Sequence, residues 1–183
     1  MEEGEIDNGW LRAATRRPSP NCDERPIRCD IDLLVIHNIS LPPGDFGGPW
    51  VDDLFLNRLD TAVHPYFRNL VGLRVSTHLL IPRNGSLVQY VPLNLRAWHA
   101  GESCFRGREA CNDFSIGIEL EGTDDTPYTS AQYETLTRAT HIIRQAYPGI
   151  TAGHIAGHCD IAPDRKTDPG PAFDWVRYRA SLD

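Results

Sequence analysis

Two short stretches carry the residue types that can do chemistry. V-I-H-N closes an apolar run with His37, and G-H-C-D-I-A-P-D-R-K-T-D-P-G carries His158, Lys166 and Asp168. Two neutral imidazoles and one carboxylate can hold a zinc ion and leave one coordination position free for water. That donor set belongs to a hydrolytic centre. A structural site would close the ion with a fourth protein ligand, for which Cys159 or His154 is the candidate. Amide hydrolysis puts negative charge on the carbonyl oxygen, and a lysine such as Lys166 can share that charge with the metal.

Several alternatives stay open at this level. His154 and His158 are four apart in G-H-I-A-G-H-C, but the likeness to a helical H-E-x-x-H zinc motif fails. Residue 155 is Ile, and Gly153 and Gly157 disfavour a helix. One of the pair is taken as a ligand, and His158 is preferred because its loop leads to Asp168. Asp160 and Asp164 are alternatives from that loop. Glu119 is a charged residue on the non-core face of an apolar strand, where it can accept a proton from water. Glu121 has the same strand parity, so parity does not separate them. His99, in R-A-W-H-A-G, and His78 are placed along the same cleft. Trp98 offers an apolar face to a sugar or fills the core.

These groups need elements to hold them. Residues 32–37 (D-L-L-V-I-H) read as a strand buried on both faces. Residues 41–49 hold three Pro and three Gly and form a loop, followed by a short helix over 51–59. Residues 73–81 predict a strand, Asn84-Gly85 a tight hairpin turn and 87–91 its return. Residues 114–120 alternate, predicting a strand with Phe114, Ile116, Ile118 and Leu120 in the core and a small polar second face. Thr129-x-x-Gln132 is a capping box opening a helix over 129–147, stopped by Pro148-Gly149. A closing helix over 172–182 is predicted with Phe173, Val176 and Ala180 inward. The sum is a single α/β domain over residues 1–183, a central mixed sheet of about four strands flanked by helices. Residues 1–30 form an extended N-terminal segment packed on it.

Bulk properties exclude some classes. The formal net charge of -7 argues against a nucleic-acid or anionic-membrane surface. No apolar run approaches a membrane span. The acidic N-terminus lacks the pattern of a signal peptide, so a cytoplasmic location is expected. Five cysteines, an odd number with no C-x-x-C pair, fit reduced thiols. No obligate protein partner is evident.

Four segments in order resemble the AmpD family of bacterial cytoplasmic anhydro-N-acetylmuramoyl-L-alanine amidases. They are V-I-H-N-I-S-L-P-P-G-x-F-G-G, R-A-W-H-A-G, G-R-E-x-C-N-D-F-S-I-G-I-E-L-E-G-T and G-H-C-D-I-A-P-x-R-K-T-D-P-G. The resemblance covers about residues 9–182. It implies a zinc amidase with the fold of peptidoglycan recognition domains. It implies cleavage of the amide between anhydro-muramic acid and the L-alanine of the stem peptide in cell-wall recycling, with an influence on inducible beta-lactamase. The family's zinc ligands fall on His37, His158 and Asp168, its acid-base carboxylate on Glu119 and its lysine on Lys166. Asn38 and Arg74 match positions near the substrate, and Trp98 and His99 join them as expected substrate contacts. Ala110 stands where some relatives carry an arginine, so that contact does not carry over. The rival expectations are an amidase acting on polymeric peptidoglycan and a non-catalytic binding module on the same fold.

Overall fold

Branched apolar runs build the centre of the fold. The computed structural model describes residues 4–183. Six strands form one sheet: β1 (Thr15–Arg16), β2 (Leu33–Ile39), β3 (Leu79–Ile81), β4 (Val88–Gln89), β5 (Ser115–Glu121) and β6 (Ile155–Gly157). Their spatial order is β6-β2-β5-β3-β4-β1. β6, β2, β5 and β3 run parallel. β4 returns antiparallel to β3, and β1 lies parallel to β4. The helices are α1 (Trp50–Phe55), α2 (Ser130–Ala146), α3 (His158–Ile161) and α4 (Trp175–Ala180).

One sheet face carries Leu34, Ile36, Ile116, Ile118 and Leu120 against Tyr133, Leu136, Ala139 and Ile143 of α2. The other carries Leu33 and Val35 against Phe114, Ala156 and Ile161. Parallel strands joined by crossovers are covered on both faces. All seven residues of β5 are accordingly buried, which corrects the expectation of an open polar face. Of its polar side chains, Ser115 meets His99, and Glu121 meets the amides of Gly47 and Arg83. The capping box forms as expected: Gln132 N–H donates to Thr129 Oγ1 at 3.1 Å and Thr129 N–H to Gln132 Oε1 at 3.0 Å.

Other elements differ from expectation for local reasons. The strand over 73–81 shrinks to β3, because side chains replace the ladder before Leu79. Thr77 Oγ1 donates to the Gly117 carbonyl at 2.9 Å, and the Gly117 amide donates to His78 Nδ1 at 3.0 Å. These bonds satisfy β5 where its neighbour has not yet begun. Asn84-Gly85 does not make a two-residue hairpin. Gly85, at φ +78, closes a turn back to the Pro82 carbonyl within a longer connection. The first helix ends at Phe55. In α4, Val176 is 82% exposed and Ala180 is exposed, while Tyr178 and Leu182 face inward. The N-terminal stretch is more than a covering segment. Thr15–Arg16 is an edge strand, and fully buried Leu11 donates its amide to Gln89 Oε1 at 2.7 Å.

Candidate active site

Three parallel strands end side by side and present the chemistry there. Glu119 of β5 is the register partner of His37 on β2, and Gly157 of β6 pairs with Ile36. His158, one residue beyond β6, therefore comes level with His37. Ligands in open α/β sheets collect at such carboxyl ends. The loop after α3 brings Asp168 back, and the Cys159 amide donates to the Asp168 carbonyl at 2.9 Å.

His37 Nδ1 lies 2.9 Å from His158 Nδ1, and each nitrogen lies 3.1 Å from Asp168 Oδ2. Hydrogen bonds behind the rings set the protonation of these atoms. His158 Nε2–H donates to the Ala100 carbonyl at 3.0 Å, which leaves Nδ1 as a lone pair. His37 Nε2 faces His99 Nδ1 at 2.9 Å, and His99 Nε2 faces Ser115 Oγ at 3.1 Å. The assignment that frees His37 Nδ1 has His37 donating to His99 and His99 donating to Ser115. Burial, then Asp168 in the opposite sense, sets His37, whose pKa falls to about 4, so the ring is neutral. Burial raises the Asp168 carboxyl, but the facing imidazoles overrule it and hold it well below the usual carboxylate range. Two lone pairs and an anionic oxygen thus crowd together with no donor among them. Such a set is stable around a cation, and these residues fit a metal ion.

Glu119 stands beside them at 8% exposure, and its Oε2 has no hydrogen-bond partner. Burial first, then the Asp168 charge, raises its carboxyl well above the usual value, with Lys166 opposing. A raised carboxyl next to a metal site suits proton transfer. Glu121, its parity rival, has both carboxylate oxygens taken by the backbone amides of Gly47 and Arg83. Glu119 and Lys166 both line a cleft of about 630 Å³ that also exposes His158, Asp168 and Asn38. Asn38 Nδ2 donates to Asp124 Oδ1 at 2.8 Å.

The remaining expected contacts divide. His99 lines the cleft but spends both ring nitrogens on His37 and Ser115. Arg74 is exposed between the cleft residues Leu73 and Val75. Trp98 lies outside the cleft lining, its indole N–H donating to Asp23 Oδ1 at 3.2 Å. His154 is away from the centre, bonded to the Asp32 carbonyl at 2.7 Å. His78 is buried behind the cleft, joined to Gly117 and Leu95. Sequence reading missed Asn112, whose Oδ1 accepts the amides of His99 at 3.1 Å and Ala100 at 2.8 Å. That bond aims the carbonyl that holds His158. A lone Asn in a single 3-10 turn, Cys111–Asp113, gives no pattern that announces this role.

The sheet, the three converging acceptors and the neighbouring carboxylate define a metal-site hydrolase. A family model for N-acetylmuramoyl-L-alanine amidase matches residues 27–171, and the chain belongs to that family. The AmpD protein of Escherichia coli (strain K12), a 1,6-anhydro-N-acetylmuramyl-L-alanine amidase, is 60% identical over 174 residues, covering 95% of this chain and 94% of its own. The crystal structure of a selenomethionine AmpD derivative superposes with a TM-score of 0.94 at 58% identity, covering 97% of this chain and 99% of the other. The E. coli amidase AmiD, solved with the substrate anhydro-N-acetylmuramic acid-L-Ala-D-gamma-Glu-L-Lys, matches with a TM-score of 0.60 at 30% identity, covering 88% of this chain and 65% of that one. Among the described residues no helix is long and apolar enough to cross a membrane.

Proposed function

We propose that this amidase hydrolyses the bond between anhydro-N-acetylmuramic acid and the L-alanine of the stem peptide, with zinc held by His37, His158 and Asp168. The observation that carries the reading is the meeting of three acceptor atoms within 3.1 Å of one another, beside a buried carboxylate with an unpartnered oxygen. Two imidazole nitrogens and a carboxylate oxygen, with no donor among them, are a donor set that would hold zinc. When bound, zinc supplies Lewis acidity toward the scissile carbonyl and the attacking water. Glu119 takes the proton of that water and returns it to the departing alanine nitrogen. The Lys166 ammonium shares the charge that develops on the carbonyl oxygen. His99 orients His37. Asn38, held by Asp124, and Arg74 contact the substrate at the cleft. Residues 1–183 act as one catalytic domain. Five unpaired thiols support a cytoplasmic setting, where a small muropeptide is the partner.

Release of peptide from defined anhydro-muropeptides, with intact sacculi assayed in parallel, tests the substrate. Faster hydrolysis of sacculi would replace the proposed substrate with the polymer. Zinc titration into the apoprotein, with and without His158→Ala, tests the ligands. Equal stoichiometry and affinity in both would remove His158 from the set.

A further inference from the structure

We propose that Glu121 anchors the cleft wall formed by residues 40–49 and so sets substrate affinity, an inference that rests on the function proposed above. Glu119 and Glu121 share one face of β5, two residues apart, yet their surroundings are opposite. Glu119 lines the cleft and keeps an unpartnered oxygen. Glu121, at 7% exposure, accepts the Gly47 amide on Oε1 at 2.5 Å and the Arg83 amide on Oε2 at 3.0 Å. Its own carbonyl accepts Gln132 Nε2 from α2 at 2.9 Å. One carboxylate thus joins the loop tip, the turn after β3 and the sheet.

The loop needs such an anchor. Leu41 holds the start of the wall in the core, but residues 43–49 are exposed and lie outside the core clusters. Ser40, Leu41 and Pro43 nevertheless form part of the cleft lining. Inside the loop, the Gly44 amide donates to Ser40 Oγ at 2.9 Å and the Asp45 amide to the Pro42 carbonyl at 2.9 Å. These bonds shape the loop without attaching it to the body. The tip is attached by Gly47 to Glu121 and by Phe46, which lies 5.0 Å under the Arg83 guanidinium. Arg83 is itself fixed by the Glu121 oxygen at its amide and by the Pro127 carbonyl at 2.7 Å. Glu121 thus makes the first attachment itself and supports the second through the Arg83 amide. Bonds from amides to a buried carboxylate are of the stronger, charge-assisted kind. Losing one frees the tip without touching the reacting atoms.

Glu121→Gln keeps one acceptor and faces the second amide with a donor. The metal-loaded full chain should then show KM for an anhydro-muropeptide raised about 10-fold with kcat within about 2-fold, as expected for lost ground-state positioning. Hydrogen exchange at the Gly47 amide should speed up about 10-fold while α2 amides keep their protection. Phe46 lies outside the apolar core clusters, so Phe46→Ala leaves the core intact. It should raise KM about 3-fold and also speed exchange at Gly47. Unchanged KM and unchanged exchange in both variants would overturn the anchor. So would a Glu121→Gln enzyme whose kcat collapses at constant KM, which would make Glu121 a proton carrier. If the wild-type chain fails to cleave the muropeptide, the proposed function falls, and the exchange rates still decide whether Glu121 holds the loop.

Discussion

Gly117 lies in the middle of β5 directly under the His99 ring. A Cβ placed there would sit 2.6 Å from His99 Cγ and Nδ1 and 2.9 Å from Cδ2. Gly117 does not occupy the positive-φ region, so alanine meets no backbone objection. The whole penalty of Gly117→Ala is therefore steric. To restore ordinary contact at 3.4 Å the ring must retreat about 0.8 Å. It cannot do so freely, because it is bonded to His37 Nε2 at 2.9 Å and to Ser115 Oγ at 3.1 Å. Overpacking of this kind costs about 1–3 kcal/mol. A broken hydrogen bond adds about 0.5–1.5 kcal/mol. Relief of glycine's strand entropy returns about 0.5–1 kcal/mol. The net loss is about 0.5–4 kcal/mol of stability. With His37 no longer oriented from behind, metal affinity should fall about 10- to 100-fold. Competition against a chelating dye reads the affinity, and urea unfolding of the apoprotein reads the stability. His99→Ala should weaken metal equally, and adding it to Gly117→Ala should recover stability without recovering affinity. A Gly117→Ala protein that binds zinc within 2-fold of wild type would refute the claim that His99 orients His37.

Other outcomes follow from the same geometry. Glu119→Gln should keep its metal and lose about 10²- to 10⁴-fold in turnover; normal turnover would remove Glu119 as the base. The folded-state carboxyl of Glu119 is raised, so its ionisation disfavours the fold as pH rises above its unfolded value. Glu119→Gln should therefore melt higher than wild type at pH 7 in the apo form, and kcat/KM of wild type should climb with pH through the Glu119 ionisation. Burial, then Arg25, depresses His78 from 6.5 to about 3, so it folds neutral and its contribution is present above pH 6.5 and lost below it. Going from pH 7 to pH 5 should remove about 2 kcal/mol of unfolding free energy through this residue. Urea titrations of wild type and His78→Gln should differ by that amount, and parallel pH slopes would count against it. Asn112→Ala should weaken zinc by about 10-fold through the freed Ala100 carbonyl, measured by the same dye competition.

The elements that position the chemistry were legible because their signals are local. The branched run before His37, the alternation before Glu119 and the capping box at Thr129 each name their own structure. His37, His158 and Asp168 could be nominated from type and context, and the fold brings them to one point. What was hidden depends on partners far away in the chain. β1 is two residues with no periodicity, and only the exposed edge of β4 makes it a strand. The region before Leu79 looked like strand because its apolar residues are real, but Thr77 and His78 spend their side chains on Gly117 instead. Val176 faces solvent because Tyr178, with Trp175 and Leu182, supplies the face that packs on the core. The duties of Glu119 and Glu121 separated only when Gly47 and Arg83 came into view. His99 lines the cleft as expected and also faces the back of the His37 ring, a contact that spacing does not encode.

His37, Glu119 and His158 are spaced by the backbone ladder of three adjoining strands, while the cleft walls come from the connections between them. The strands thus place His37, Glu119 and His158, whereas Asp168 and Lys166 ride on a connection of the same kind that forms the walls. An exchange of residues 40–49 between relatives would therefore leave the hydrolytic centre unaltered only where the incoming segment still offers its amide to Glu121.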